Sequence, residues 1–385
     1  MKSYNELKLA KELIKFPSIT PVDAGIMKFL AQKLSRIGFK CKILEFKEKN
    51  TIPVKNLYAK FGKKRPNFCF AGHLDVVPPG NIKDWTIDPF KPKIVKNYLI
   101  GRGANDMKSS VASFVAAVSK FLATNKKFQG SISLLITGDE EGIAVNGTKK
   151  VIEYLKKNKE KIDFCLVGEP TNPNKLGEMI KIGRRGSITG HLTIFGTQGH
   201  VAYPIRANNP SNCIIEILKK LKDFKFDNGS KSFQPTNLEV TRINIDNNID
   251  NIIPGSAKAS FNLRFNNKHS SKSLKKKINS IIKNLSKKNK CKFKIEYMIS
   301  GESFLNKPNK TTFMIKKIVK EFTNINPKLS TTGGTSDARF IKKISPCLEF
   351  GLVGKTMHKV DEAVSLKDLK KLTLIYKKIL EKYFL

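Results

Sequence analysis

Five short segments carry residue types able to do hydrolytic chemistry. The first is Phe70-Ala71-Gly72-His73-Leu74-Asp75, at the end of the apolar run NFCFAG. A histidine at a strand end with an acid two residues on puts both side chains on one face. One can then bind a metal while the other orients the imidazole, although a plain structural His–Asp hydrogen bond explains the pair equally well. The second segment, Gly103-Ala104-Asn105-Asp106, opens a helical pattern, where an Asp is ordinarily a cap. The third, Thr137-Gly138-Asp139-Glu140-Glu141-Gly142, follows the apolar run SISLLIT. Three successive acids there repel one another unless cations neutralise them or the turn is solvated. The fourth, Gly168-Glu169-Pro170-Thr171, closes another apolar strand, and the fifth is His358 in GKTMHKVDE.

Each signal is ordinary alone; together they match one coordination problem. Two zinc ions that share a bridging carboxylate and a bridging water need two further protein ligands each. His73, Asp106, Glu141, Glu169 and His358 supply five N/O donors and no thiolate, a set that suits catalytic rather than structural zinc. Neighbouring residues at a strand end point different ways. Glu140 and Glu141 can therefore divide two roles, one binding metal and one taking a proton from the water.

These residues must be held by something, and the surrounding pattern predicts what. Helical periodicity covers 4–15, 22–37, 107–124 and 147–158, and strand patterns cover 41–46, 56–61, 67–72, 131–137 and 164–168. Alternation of this kind predicts a three-layer α/β/α sandwich about a mostly parallel sheet. The chemical residues then stand just beyond strand ends, where open α/β sheets carry their sites. From about 181 to 296 the texture changes to period-two strands (SITGHLTIFG, LEVTRINI, KASFNLRF) with helical patterns at 210–224 and 271–288. This reads as an inserted α+β domain, a sheet with two helices on one side. An α/β texture resumes with a helix at 310–323, a strand at 347–352 and a helix at 366–383. The expected organisation is a catalytic domain of 1–180 and 297–385 interrupted by an insert of 181–296.

The chain has 385 residues and a formal net charge of +40, which invites a nucleic-acid reading. The excess is nearly all Lys, spread along the whole chain, whereas Arg, the better reader of bases and phosphates, is rare. The densest run, 272–290, carries Leu274, Ile278, Ile281, Ile282 and Leu285 at helical spacing, so its lysines are the solvated face of a packed helix. No nucleic-acid partner is expected; a field that attracts anionic substrates is. No stretch approaches the roughly 20 apolar residues of a membrane span. The first residues read as an amphipathic helix rather than a signal, so a cytoplasmic protein without a membrane partner is expected. The six cysteines are scattered singly and read as reduced core thiols.

In this order, RGANDMKSS, TGDEEG, GRRGSITGHL, QGHVAYP, NIIPG, SGESFLN, GGTSDARFI and TMHKVDE resemble the M20 family of co-catalytic zinc peptidases and deacylases, over essentially the whole chain. SGESFLN and GGTSDARFI read more like its desuccinylases than its acetylornithine deacetylases, aminoacylases or dipeptidases. The resemblance implies two zinc ions per subunit, with cobalt able to substitute. His73 and Glu169 would hold one, Glu141 and His358 the other, and Asp106 would bridge. Asp75 would orient His73, and Glu140 would be the general base. It also implies that the insert is a ferredoxin-like lid that makes a homodimer. His200 would then reach the partner's site and stabilise the oxyanion; without the resemblance it is a loop histidine with no assignable role, and His191, within an alternating strand, and His269, in the polar NNKHSSK loop, have none either. The implied substrate is a small anionic N-acyl amino acid, an N-succinylated diamino diacid. It would be bound by Arg184, Arg185, Ser187, Tyr203, Asn251, Arg264, Gly334 and Thr335. Arg264 falls on the strand face opposite Phe261, Leu263 and Phe265. Two positions depart from the family: Asn105, where Ala is common and little consequence is expected, and Gly354, where a polar side chain such as Asn is usual.

Overall fold

The computed structural model describes residues 3–125 and 127–385. The chain forms two compact units. The larger comprises Met1–Ile182, Asn306–Ser330 and Ser336–Leu385; the smaller comprises Gly183–Leu305 with Thr331–Thr335. Strand Lys292–Gly301 runs through the sequence boundary expected at 296, and the chain re-enters the larger unit at Asn306.

The larger unit is built on an eight-stranded sheet. Its spatial order is Lys40–Phe46, Val54–Phe61, Ser131–Thr137, Asn67–His73, Phe164–Val167, Cys347–Glu349, Met179–Lys181 and Lys328–Ser330. The central strands Ser131–Thr137, Asn67–His73, Phe164–Val167 and Cys347–Glu349 run parallel to one another. The expectation of a mostly parallel sheet needs correcting towards its edges. Val54–Phe61 is antiparallel to both Lys40–Phe46 and Ser131–Thr137, and Cys347–Glu349 is antiparallel to Met179–Lys181. The short link between Phe46 and Val54 allows a hairpin, whereas a parallel pairing would need a crossover of a dozen residues or more. Every residue of Asn67–His73 and Ser131–Thr137 is buried, as both faces of a covered sheet require.

Helices Glu6–Ile14, Lys108–Thr124 and Leu366–Phe384 pack on one another, while Ile26–Ser35 and Thr148–Lys157 pack on the antiparallel strands. Lys108–Thr124 is buried nearly throughout because its apolar and small side chains leave no polar face, marking it as the inner helix of its layer. Lys310–Thr323 starts at a capping box between Asn309 and Thr312 and stops at left-handed Asn324, φ 58°. All six cysteines are free thiols, five of them buried. No helix among the described residues is long and apolar enough to cross a membrane.

The smaller unit has the order of elements β-α-β-β-α-β: Gly186–Phe195, Pro210–Asp223, Asn237–Asn244, Ser256–Phe265, Ser271–Lys288 and Lys292–Gly301. Its antiparallel sheet runs Asn237–Asn244, Ser256–Phe265, Gly186–Phe195, Lys292–Gly301, the ferredoxin-like arrangement. One sheet face and the two helices share a core of Ile188, Leu192, Ile194, Ile214, Ile217, Phe261, Leu263, Phe265, Leu274, Ile278 and Ile282. Lys272, Lys276, Lys277, Lys283, Lys287 and Lys288 lie exposed on the other side of the second helix.

Candidate metal centre

Three neighbouring strands of the large sheet end at one place. His73 is the last residue of Asn67–His73, Glu140 and Glu141 follow Ser131–Thr137, and Glu169 follows Phe164–Val167. Asp106 arrives on the loop that opens helix Lys108–Thr124. Met107, fully buried, wedges beside Gly72 and Gly168, where a Cβ would lie 2.4 Å and 2.8 Å from its methyl carbon. The missing side chains let the Asp106 loop settle against the strand ends.

His73 is 1% exposed. Its Nδ1 donates to the backbone carbonyl of Asp75 at 2.9 Å, which turns Nε2 towards the carboxylates. Nε2 lies 3.1 Å from Asp106 Oδ1 and 3.9 Å from Glu169 Oε1. On the other side, His358 Nε2 lies 2.8 Å from Glu141 Oε1 and 3.4 Å from Asp106 Oδ2. The two oxygens of Asp106 therefore face different histidines, the placement a bridging ligand requires. Donor atoms of His73, Asp106 and Glu141 lie within 4.8 Å of one another, as do those of His73, Glu140 and Glu169.

Electrostatics say what such a cluster lacks. Burial works against a charged His73, yet Asp106, Glu169 and Asp75 outweigh it and hold its pKa well above the ordinary value. Hydrogen bonds to Asp106 and Glu141 push His358 up to about 10. Burial, reinforced by Glu169, drives the Glu140 carboxyl well up. A site that forces protons onto both its histidines and a carboxyl is short of positive charge. Two divalent cations fit that deficit, and the donors are the hard and borderline N/O groups that zinc accepts. His73 and Glu169, with Asp106, would hold one ion; Glu141 and His358, again with Asp106, the other.

The position of Asp75 differs from the expectation of a carboxylate orienting His73. The imidazole is fixed by the Asp75 backbone carbonyl, and the Asp75 carboxylate stands 3.7 Å from Nδ1. That carboxylate instead accepts the backbone N–H groups of Glu140 at 3.3 Å and Glu141 at 3.0 Å, so it sets the direction of both acids. Burial lifts its pKa to about 6. Asp139 is a loop brace that accepts from Ala144 and Asn146 backbone N–H groups at 3.1 Å and 2.8 Å. Asn105 is also more than a neutral replacement: its side-chain amide donates to the Val353 carbonyl beside Gly354, and to that of Ala363. Gly354 leaves space, since a Cβ there would meet nothing nearer than 3.4 Å.

Sequence reading passed over Arg102 and Glu362. Both are buried, and Arg102 Nη1 donates to Glu362 Oε2 at 2.7 Å. The signal was available in two charged residues, one in RGANDMK and one in MHKVDE, each beside an expected ligand.

The other expected residues belong to the smaller unit. Arg264 is the cross-strand partner of Ser187 and of Asn237, on the face opposite buried Phe261, Leu263 and Phe265. Arg185 donates to Asn237 Oδ1 at 2.8 Å, and Arg184 donates to the Gly334 carbonyl at 3.3 Å, with Thr335 next in the chain. Burial lowers the pKa of both Arg185 and Arg264, and Arg264 repels Arg185 further. His200 is exposed on a short ribbon with Ile252, its Nδ1 accepting the Ala202 N–H at 3.1 Å. The Tyr203 ring lies 5.7 Å from it, and the Asn251 carbonyl accepts the Val201 N–H. His191 bonds Ser260 Oγ, whereas His269 is held beside Asp227 and the Phe226 carbonyl, a packed residue rather than a solvated loop histidine.

Cations that bind this cluster only in the folded state must stabilise the fold. Zinc added to chelator-treated protein should raise Tm, approaching about 4 kcal/mol per site near a thousandfold excess over Kd. Thermal unfolding unmoved by zinc up to millimolar levels would exclude a metal centre here.

The model of "Peptidase family M20/M25/M40" matches residues 69–382. Succinyl-diaminopimelate desuccinylase of Pelagibacter ubique (strain HTCC1062) is 73% identical over all of both chains. The protein of that name from Wolbachia pipientis wMel is 49% identical over 98% of this chain and 93% of its own. Among solved structures, the M20 family metallo-carboxypeptidase Sso-CP2 from Sulfolobus solfataricus superposes with a TM-score of 0.79 at 18% identity, covering 99% of each chain. A family match over most of the length, joined to full-length relatives at this identity, makes the chain a member of peptidase family M20/M25/M40.

Proposed function

We propose that this protein is a two-zinc amidohydrolase that cleaves N-succinyl-LL-2,6-diaminopimelate to succinate and LL-2,6-diaminopimelate, a step of diaminopimelate and lysine synthesis. One observation carries the reading: Asp106 lies between His73 and His358 in a full-length relative of the desuccinylases. Zinc held by the five donors would polarise the succinyl carbonyl and acidify the attacking water.

The chain's own residues do the rest. Glu140, on the His73–Glu169 side of the cluster, takes the proton of the water as it attacks the carbonyl carbon. When the C–N bond breaks, Glu140 gives that proton to the departing amine. Asp75 keeps Glu140 aimed by holding its backbone N–H. The three carboxylates of the substrate call for forked cationic donors, and the Arg184, Arg185 and Arg264 group on the smaller unit has that chemistry, with Ser187, Gly334 and Thr335 beside it. Tyr203 and Asn251 accompany His200, which donates to the oxygen that gains negative charge. We place this His200 in the site of a partner subunit, in a homodimer joined through the smaller unit.

A panel of N-succinyl-diaminopimelate, N-acetylornithine and simple dipeptides, assayed with zinc present, tests the substrate. The succinylated compound should be turned over with the highest kcat/KM; preference for the acetylated amine or a dipeptide would move the protein to another branch of the family. Glu140→Gln should lower kcat at least about a hundredfold with metal content unchanged, whereas Glu141→Gln should lose metal. Exchanged outcomes would reverse the two roles.

Sharing of the site between subunits has its own test. His200→Ala and Glu140→Gln chains should each be inactive, yet a mixed dimer would have one site with every group intact. Equal mixing gives about half mixed dimers, each with one working site in two, so about a quarter of wild-type activity should return. Mixtures that demonstrably exchange subunits and stay inactive would assign His200 to its own chain.

A further inference from the structure

Glu362 is fully buried and its carboxylate accepts four hydrogen bonds, all from one loop. Its Oε1 accepts the backbone N–H of Asn105 at 2.7 Å and of Asp106 at 2.9 Å. Its Oε2 accepts the Gly103 N–H at 3.1 Å and Arg102 Nη1 at 2.7 Å. The backbone joins in, with Gly101 N–H donating to the Glu362 carbonyl at 2.9 Å. Arg102 continues the link. Its Nη1 also donates to the carbonyl of Lys359, the residue after His358, at 3.2 Å, and Nη2 donates to the Pro78 carbonyl at 3.3 Å. The guanidinium is 5.1 Å from the centre of the Trp85 ring, which closes it from water.

We infer that Glu362 and Arg102 are a positioning pair for the Glu141–His358 metal site, tying the loop that carries Asp106 to the turn that carries His358. The inference rests on the two-metal reading above. Neither residue is a ligand: the carboxylate of Glu362 is fully engaged by N–H donors, and Arg102 offers no lone pair. Their effect passes through backbone, to the peptide of Asp106 itself and to the neighbour of His358. His73 and Glu141 are set by the strand ends and by Asp75, whose backbone carbonyl holds the His73 ring and whose carboxylate accepts the Glu141 N–H. Asp106 is shared by both expected sites, so what sets the one completed by His358 apart is its second tie to the pair, from Arg102 to the carbonyl of Lys359. His358 needs such support, because its backbone sits in the left-handed region at φ 62° and its side chain is half exposed. A freestanding turn would let it wander.

Glu362→Gln keeps the shape but turns one oxygen into a donor that faces other donors. Stepwise metal affinities, from cobalt(II) absorption titrations and chelator competition, are the readout, alongside kinetics. Wild type should bind two ions. In Glu362→Gln one of the two steps should fall about ten- to a hundredfold, the loss typical of outer partners of metal ligands, while the other falls clearly less. The kcat at limiting zinc should fall with it, recover in excess zinc, and leave KM unchanged. Arg102→Lys keeps the charge but cannot span Glu362, Lys359 and Pro78 together, so it should show the same selective loss in milder form. It decides the matter if the first variant does not fold. Equal weakening of both steps, or wild-type affinities in a folded variant, overturns the pair alone. A wild-type protein that binds fewer than two ions overturns the two-metal reading, and the pair with it.

Discussion

Negative charge crowded at the ends of three adjacent strands is the constraint around which the larger unit is arranged. Asp75, Asp106, Glu140, Glu141 and Glu169 stand within one small, largely buried region. Two like charges 4 Å apart repel by about 4 kcal/mol at an effective dielectric of 20. Several such pairs approach the whole stability of a domain, about 5–15 kcal/mol. Protonation relieves this, and the crowding pushes the pKa of Glu140 and of both histidines up in that direction, but a protonated Glu140 has no base function. Bound cations relieve the same repulsion and leave the base free.

Each neighbouring polar group makes sense as part of holding that charge in place. The Asp75 carboxylate sits under the Glu140–Glu141 turn, and Glu362 sits under the Asp106 loop. Both are buried acids satisfied by backbone N–H groups, so they stiffen loops through peptide units and leave the ligand side chains free. Arg102 supplies a buried guanidinium near the centre, committed to Glu362 and to carbonyls. An arginine free to swing onto Asp106 would compete with a metal; one locked this way cannot.

Much of this was legible in the residues. Helices 310–323 and 271–288 fall where apolar spacing placed them, because each has a clean stripe and a capping residue. Central strands were equally plain, since a buried parallel strand is an uninterrupted apolar run. Less visible were Met179–Lys181 and Lys328–Ser330, too short for any period, and the antiparallel edge, because pairing direction is decided by connections rather than by side chains. At the centre, the ligands were legible because His, Asp and Glu at strand ends are chemically unusual. The clamp was not. Glu362 meets Asn105 and Asp106 across more than 250 residues of chain, and an acid that bonds only peptide N–H groups leaves no partner pattern in the sequence. Asp75 was seen, but which of its groups holds His73 depends on backbone direction, and that only coordinates give.

The smaller unit shows the opposite imbalance. Arg185 and Arg264 flank Asn237 on the sheet face away from the core, each half-buried and each held below its usual pKa. Two partly desolvated guanidiniums so placed gain from an anion, and a forked carboxylate contact satisfies them better than water. The +40 net charge is a poor guide to this, because most of it lies on exposed lysines that solvent already satisfies. What matters is where charge is buried without its complement. Acids at the strand ends call for cations, and arginines on the smaller sheet call for an anion. The proposed hydrolysis of an acylated, carboxylate-rich amino acid by two zinc ions would supply both.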